Sequence, residues 1–267
     1  MGKYFVLKFF GHWCSRGLIL CIVERFFMSI ASALCNNDLL ASLKPEDLLS
    51  LVAHFDAVEL ALGQVLYEPG CNISHVYFPT TAIVSLVYML ENGSSAEIAV
   101  VGREGVVGIP LFMGGNTTAL RATVQSAGQG YRMRAEIMKE VFTRSTPFMH
   151  LMLPYTQALI TQMAQTAVCN RHHSLEQQLC RRLLLSLDRQ EGMHLAMTQE
   201  RIANMLGVRR EGVTEAALKL QKLGLIHYAR GHITVIDRAG LEARVCECYA
   251  VVKKEYDRLL RPHQPAV

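Results

Sequence analysis

Apolar positions change their period several times along this 267-residue chain, and each change predicts a different kind of element. Between residues 39 and 55, Leu48, Leu49, Leu51 and Val52 recur at helical spacing behind an early Pro45. Short β-type runs follow at 58–62, 65–67, 76–78, 83–89, 97–101, 122–125 and 130–133. Gly63, Gly70, Asn92-Gly93, Gly102, Gly105, Gly108 and Gly114-Gly115 punctuate them. Many short strands separated by glycine turns predict a sandwich or barrel. Helical spacing returns over 135–144 and closes the barrel. Pro147 marks a break, and Pro154 starts or kinks a helix over about 155–170. On that helix Tyr155, Leu159, Gln162, Thr166 and Cys169 recur at a/d-like intervals, with Met163 flanking. So narrow a seam suits a helix pair, with these six residues as its interface, or a helix packed only on its own barrel. Leu175, Leu179, Leu183 and Leu187 predict a supporting helix, with Arg181-Arg182 near phosphates or on a solvated face.

Residues 197–236 carry the most specific pattern. Thr198 is placed to cap a short helix, with Gln199 and Glu200 in its first turn and Ile202, Met205 and Leu206 on its buried face. Gly207 interrupts the pattern where two helices must turn sharply. The second helix, 209–223, puts Val213, Ala216, Ala217, Leu220 and Leu223 on one side. Glu211, Thr214, Glu215, Leu218 and Lys222 lie on the other, with Arg209 and Arg210 at the N-terminal end. Arg209 stands where a Ser or Thr cap is usual. Beyond Gly224, β-type runs at 225–228 and 233–236 flank Ala229-Arg230-Gly231-His232, a hairpin tip. Helix, tight turn, helix, hairpin is the plan of a winged helix-turn-helix. The segment holds six Lys and Arg against three Glu, a local excess of positive charge that suits DNA. A helical hairpin that only packs would need neither the charged helix start nor the wing.

Composition adds limits. Hydrophobic content of 51 %, charged content of 19 % and a net charge of +4 describe an ordinary soluble protein with room for two domains. The eight cysteines (Cys14, Cys21, Cys35, Cys71, Cys169, Cys180, Cys246, Cys248) are scattered, without a C-x-x-C pair or a disulfide framework. A reducing cytoplasm is the simpler location. The thiols of Cys246-Glu247-Cys248 would diverge on a helix, and His172-His173 read as solvent-facing hinge residues, so no metal and no cofactor is expected. Neither a nucleophile–base pair nor a phosphate-cradling loop is present, which points away from an enzyme. Residues 1–33 form an extension in which charges interrupt every apolar run well short of the ~18 residues a membrane span needs. Two readings of it stay open: translation beginning at Met28, or an amphipathic helix at a membrane surface. Beyond the wing, Leu241, Val245, Cys248, Val252 and Leu259 predict a C-terminal helix up to Pro262.

Thr198-Gln199-Glu200-Arg201-Ile202-Ala203 and Leu206-Gly207-Val208-Arg209-Arg210-Glu211-Gly212-Val213 resemble the DNA-binding end of the CRP/FNR family of bacterial transcription regulators. The resemblance runs from about residue 34 to 236. It implies an α+β chain: a jelly-roll, cyclic-nucleotide-binding-like sensor barrel over 34–146, a dimerisation helix over 147–172 and a winged helix-turn-helix over 173–240. A C-terminal helix over 241–267 completes the division. In cyclic-nucleotide-binding members a Gly-Glu pair holds the ribose and a later Arg the phosphate. Here Ile109 follows Gly108, and Asn116-Thr117-Thr118-Ala119 puts Thr117 where the Arg would stand. Losing that cation removes the strongest contact to a phosphodiester, so the effector is an unknown small molecule. Ser85, Ile98, Gly108, Ile109, Thr117 and Thr118 are the pocket positions the resemblance marks.

Function follows as an expectation: a homodimer reading a palindromic operator in double-stranded DNA, with RNA polymerase as the partner the resemblance implies. Arg210 is placed for a guanine and Glu211 for a cytosine amino group, assisted by Arg209 and Thr214. Gln199, Lys222, Arg230 and His232 fix position on the backbone. The alternative is a sensor-like protein whose helix-turn-helix contacts another protein.

Overall fold

A computed structural model describes residues 28–260, so the expectations for residues 1–27 and for the last seven residues lie outside the described residues. Three short helices lead in: residues 28–34 (α1), Asp38–Ala41 (α2) and Pro45–Leu51 (α3). Asn37 caps α2 by accepting from the Leu40 N–H, while its Nδ2 donates to the carbonyls of Pro79 and Gly105. One buried side chain thus anchors the lead-in helices to the barrel.

Seven strands build that barrel: β1 (Asp56–Leu60), β2 (Val65–Tyr67), β3 (His75–Pro79), β4 (Ile83–Met89), β5 (Ser95–Val101), β6 (Leu120–Ser126) and β7 (Gly128–Arg134). They form two antiparallel sheets, β1-β7-β3 and β2-β6-β4-β5. Phe78, Val84, Leu86, Ala99, Val101, Leu111, Phe112, Val124 and Met133 fill the space between them. The β4–β5 register slips by one residue between Leu86 and Val87, leaving Ile98 as the extra residue of a β-bulge. The bulge turns Glu97 and Val100 outward while Ala99 and Val101 stay in the core.

Helix α4 (Ala135–Arg144) matches its expected limits, but the next helix is longer than the sequence pattern indicated. Helix α5 runs Thr146–His172, 27 residues, with Ser145 accepting from the Phe148 N–H as its cap. Pro147 therefore opens the helix and does not break it, because a first-turn residue has no intrahelical N–H bond to lose. Pro154 sits inside the helix.

Tyr155 pins α5 to the barrel. Its ring lies against Gly105, where a β-carbon would overlap it, and its hydroxyl donates to the Val106 carbonyl at 3.0 Å. Tyr155→Phe should cost about 1–3 kcal/mol in urea unfolding, since it strands a buried carbonyl. An unchanged unfolding midpoint would show that the hydroxyl is not needed.

Helix α6 (Leu175–Leu187) starts at a complete capping box between Ser174 and Gln177. The rest of the helical domain comprises β8 (His194–Ala196), α7 (Gln199–Leu206), α8 (Arg210–Lys222), β9 (Ile226–Ala229), β10 (His232–Val235) and α9 (Arg238–Arg244). The final helix, α10 (Glu247–Leu260), packs back along α5. A second apolar core gathers Leu179, Leu183, Ile202, Val213, Ala217, Leu220, Ile233 and Leu241. It also takes in Ile83 and Val100 from the barrel, so the helical domain is seated on the outer face of the four-stranded sheet.

Arg182 locks that seat. It pairs with Glu97 and donates to the Gln125 side chain, and the Ser85 hydroxyl donates to Glu97 with Gln125 Oε1 also within 3.0 Å of its oxygen. Arg181 donates to Thr166 Oγ1 at 2.9 Å. Both arginines are buried, which corrects the expectation of phosphate contact or a solvated face. Their partners lie on other elements, and only the fold brings them together. A parallel link joins Arg189 to Glu104 at 2.7 Å and to Gln162 Oε1 at 3.2 Å.

Candidate nucleic-acid interface

Thr198 caps α7 by accepting from the Arg201 N–H at 3.2 Å. Gly207 then adopts a left-handed conformation (φ +66°), which reverses the chain within three residues before α8 begins. Arg209 occupies the N-cap of α8 and makes no side-chain cap bond, as its chemistry dictates. Val213, Ala216, Ala217 and Leu220 are buried beneath α8, and the small alanines let α6 and α7 approach closely.

The opposite face of α8 is open. Arg209, Arg210, Glu211, Glu215, Leu218 and Lys222 are exposed, and Thr214 is half-buried. Arg209, Arg210, Lys222 and Arg230 have no ion-pair partner among the described residues, whereas Lys219 is held by Glu176 at 2.5 Å. The wing turns on Arg230 and Gly231, both at positive φ (49° and 81°), a two-residue hairpin that suits the twist of β9 and β10. Arg230 and His232 are exposed at its tip.

Of the eight expected contact residues, Gln199 and Thr214 are already engaged with each other, Thr214 Oγ1 donating to Gln199 Oε1 at 2.8 Å. That bond ties α7 to α8. The other six have no side-chain hydrogen bond or ion pair among the described residues, and lie on α8 and the adjoining wing.

The expected dimer seam needs correction. Tyr155, Leu159, Gln162, Thr166 and Cys169 are buried against the chain's own barrel, α6 and the α9–α10 connection, and Met163 is half-buried on the barrel core. Gln162, for example, donates to the Val100 carbonyl at 3.0 Å. The outward face of α5 is a different stripe: Leu153, Gln157, Ile160, Ala164, Ala167 and Val168. Leu153, Ile160 and Val168 are 49, 56 and 46 % exposed. Leu153, Ile160 and Ala167 stand seven residues apart, a heptad that the stronger inner pattern masks in the sequence.

The six positions marked for an effector do not converge. Ser85 faces the helical domain through Glu97 and Gln125. Ile98 and Ile109 pack on the barrel core, Gly108 is buried against Val76, Thr118 Oγ1 accepts from the Leu120 N–H, and Thr117 is exposed. Ser85 does line a cleft of about 370 Å³, but this lies on the outer sheet face beside α7, with Arg121, Gln125, Arg201 and Asn204.

Burial acts on the Arg182–Glu97 pair from both sides. It pushes the Glu97 carboxyl up and the Arg182 guanidinium down from their ordinary values, and each partner's charge opposes the other's shift without cancelling it.

Cys246 and Cys248 also depart from expectation. The chain is extended at Val245 (φ −68°, ψ 154°), so Cys246 precedes α10 and is not on one helix with Cys248. The two thiols therefore do not diverge. His173, expected to face solvent at a hinge, is largely buried beside them.

Residues 177–244 match the Crp-like helix-turn-helix domain family. Among curated proteins, none matches the chain by sequence. Solved structures share its fold over most of its length. A transcriptional regulator of the Crp/Fnr family from Eubacterium rectale aligns at TM-score 0.61 and 17 % identity, over 77 % of this chain and 96 % of its own. FixK2 from Bradyrhizobium japonicum gives 0.60 and 16 %, over 72 % and 98 %. The c-di-GMP-responsive global regulator CLP of Xanthomonas campestris gives 0.58 and 16 %, over 72 % and 99 %.

Proposed function

We propose that this chain, which carries a Crp-like helix-turn-helix domain on a fold shared with CRP/FNR-family structures, is a CRP/FNR-type DNA-binding transcription regulator acting as a homodimer on a palindromic operator. One observation carries the reading. Arg209 and Arg210 are exposed, without an ion-pair partner among the described residues, at the start of an open helix that is followed by a wing with an exposed cation. A helix entering the major groove presents its N-terminal residues to base edges. Arg210 makes the bidentate contact to a guanine, Glu211 accepts from a cytosine amino group, and Arg209 and Thr214 assist. Lys222, Arg230, His232 and Gln199 hold the phosphate backbone.

Dimerisation rests on the outward stripe of α5. A 27-residue helix is about 40 Å long, enough for two copies to pair along Leu153, Ile160, Ala164 and Ala167 across a two-fold axis. Such a pair sets two α8 helices for half-sites about 34 Å apart. No helix among the described residues is long and apolar enough to cross a membrane.

Arg210→Ala tests the assignment. It should weaken binding to the preferred site by about 1–3 kcal/mol and relax the base preference at one position. Equal loss on random DNA would make Arg210 a phosphate contact instead. Binding should also fall steeply with salt, as phosphate neutralisation requires. Binding that ignores salt would favour the protein-contacting alternative.

A further inference from the structure

Four potential metal ligands converge where α5 ends, α6 begins and α9 passes into α10. The Sγ atoms of Cys169, Cys246 and Cys248 and a ring nitrogen of His173 all lie within 4.8 Å of one another. Cys169 Sγ to Cys246 Sγ is 3.6 Å, and Cys248 Sγ to His173 Nδ1 is 3.5 Å. A tetrahedral zinc with Zn–S near 2.3 Å and Zn–N near 2.0–2.1 Å has S···S edges of about 3.8 Å and S···N edges of about 3.6 Å. These two edges of the cluster are already close to those of a zinc tetrahedron. From this geometry we infer that Cys169, His173, Cys246 and Cys248 form a Cys₃His site for Zn²⁺.

The surroundings fit a metal better than four idle side chains. His173 turns Nδ1 to the cluster and Nε2 to Glu247 Oε2 at 3.3 Å. A carboxylate on the far ring nitrogen is the usual way a ligating histidine is oriented and held in one tautomer. The backbone is fixed as well: the His173 N–H donates to the Cys169 carbonyl at 3.1 Å, and Gln178 Nε2 donates to the His173 carbonyl at 2.9 Å. Three thiolates, a neutral imidazole and Zn²⁺ sum to one negative charge. Buried Arg181 lies within electrostatic reach of Cys169 and Cys248, and its Nε has no hydrogen-bond partner among the described residues. Soft thiolate donors select zinc over magnesium or calcium. Binding releases the three thiol protons to solvent and leaves the metal with no open position, so the site is structural and fastens α10 to the α5–α6 hinge.

The test is metal analysis of the full chain purified without chelator. About one zinc per chain is expected, unchanged in Cys71→Ser, whose thiol is exposed and remote from the cluster. Cys248→Ser and His173→Ala should each lower it at least about fivefold. Because either variant could lose zinc by misfolding, the wild-type chain is also stripped with chelator and refilled with Co²⁺. Tetrahedral thiolate-bound Co²⁺ then gives intense visible bands together with sulfur-to-metal charge transfer. Zinc-free chain with freely alkylated thiols, a Cys169–Cys246 disulfide, a weak octahedral Co²⁺ spectrum, or full zinc in Cys248→Ser would each overturn the inference.

Discussion

Full-length protein carrying Ile160→Asp should sediment as a monomer and bind its operator about 10²–10⁴-fold more weakly than wild type. Ile160 sits at the middle of the outward α5 stripe and is more than half exposed in the single chain. A symmetric contact repeats each residue, so one aspartate places two carboxylates face to face in an apolar seam. Neither can be buried without a partner. Once the pair separates, each helix-turn-helix must find its half-site alone, and the loss is that of effective concentration between linked sites. The intrinsic contact of one α8 with one half-site is untouched, so weak binding to a single half-site should persist. Leu159→Asp, by contrast, targets a residue the structure buries in its own barrel, and should unfold the chain. Dimers that survive Ile160→Asp would move the interface off this stripe.

Arg182→Met is expected to destabilise the folded chain by about 3–5 kcal/mol, the cost of leaving one partner of a buried ion pair alone. Glu97 would remain buried, with the Ser85 hydroxyl as its donor. Desolvation outweighs mutual attraction for both members of the pair, so the pair specifies where the helical domain sits more than it stabilises it. Arg182→Met combined with Glu97→Leu should therefore recover most of the loss. Urea unfolding of the two variants checks both statements. If Arg182→Met instead left stability intact and lowered DNA affinity, the residue would be a phosphate contact.

Legibility in the sequence followed locality. The strands at 65–67 and 83–89 and helix α4 were readable to the residue, because alternation and helical spacing are properties of a few neighbours. So were the Thr198 cap, the Gly207 turn and the poorly capped Arg209, which together mark α7 and α8. What could not be read were contacts between distant segments. Glu97 alternates with apolar residues as a solvent-facing strand position would, and Arg182 from α6 covers it across 85 positions. The α5 seam differs from the helix pair its spacing suggests for a related reason. Spacing reveals that a stripe is buried, not whether a partner chain or the same chain buries it, and Tyr155 and Gln162 turned out to serve the latter. Cys169 and His173 were invisible as a pair with Cys246 and Cys248, since some 75 residues separate them and no C-x-x-C announces the site.

Selection of bound fragments from a random duplex pool by the wild-type protein, followed by backbone footprinting, tests the central claim most directly. The account predicts one enriched sequence with two-fold symmetry, its half-site centres about one helical turn apart, protected in the major groove, with the preference at one base pair per half-site lost in Arg210→Ala. A pool that emerges without a preferred sequence, or an identical preference in Arg210→Ala, would contradict it.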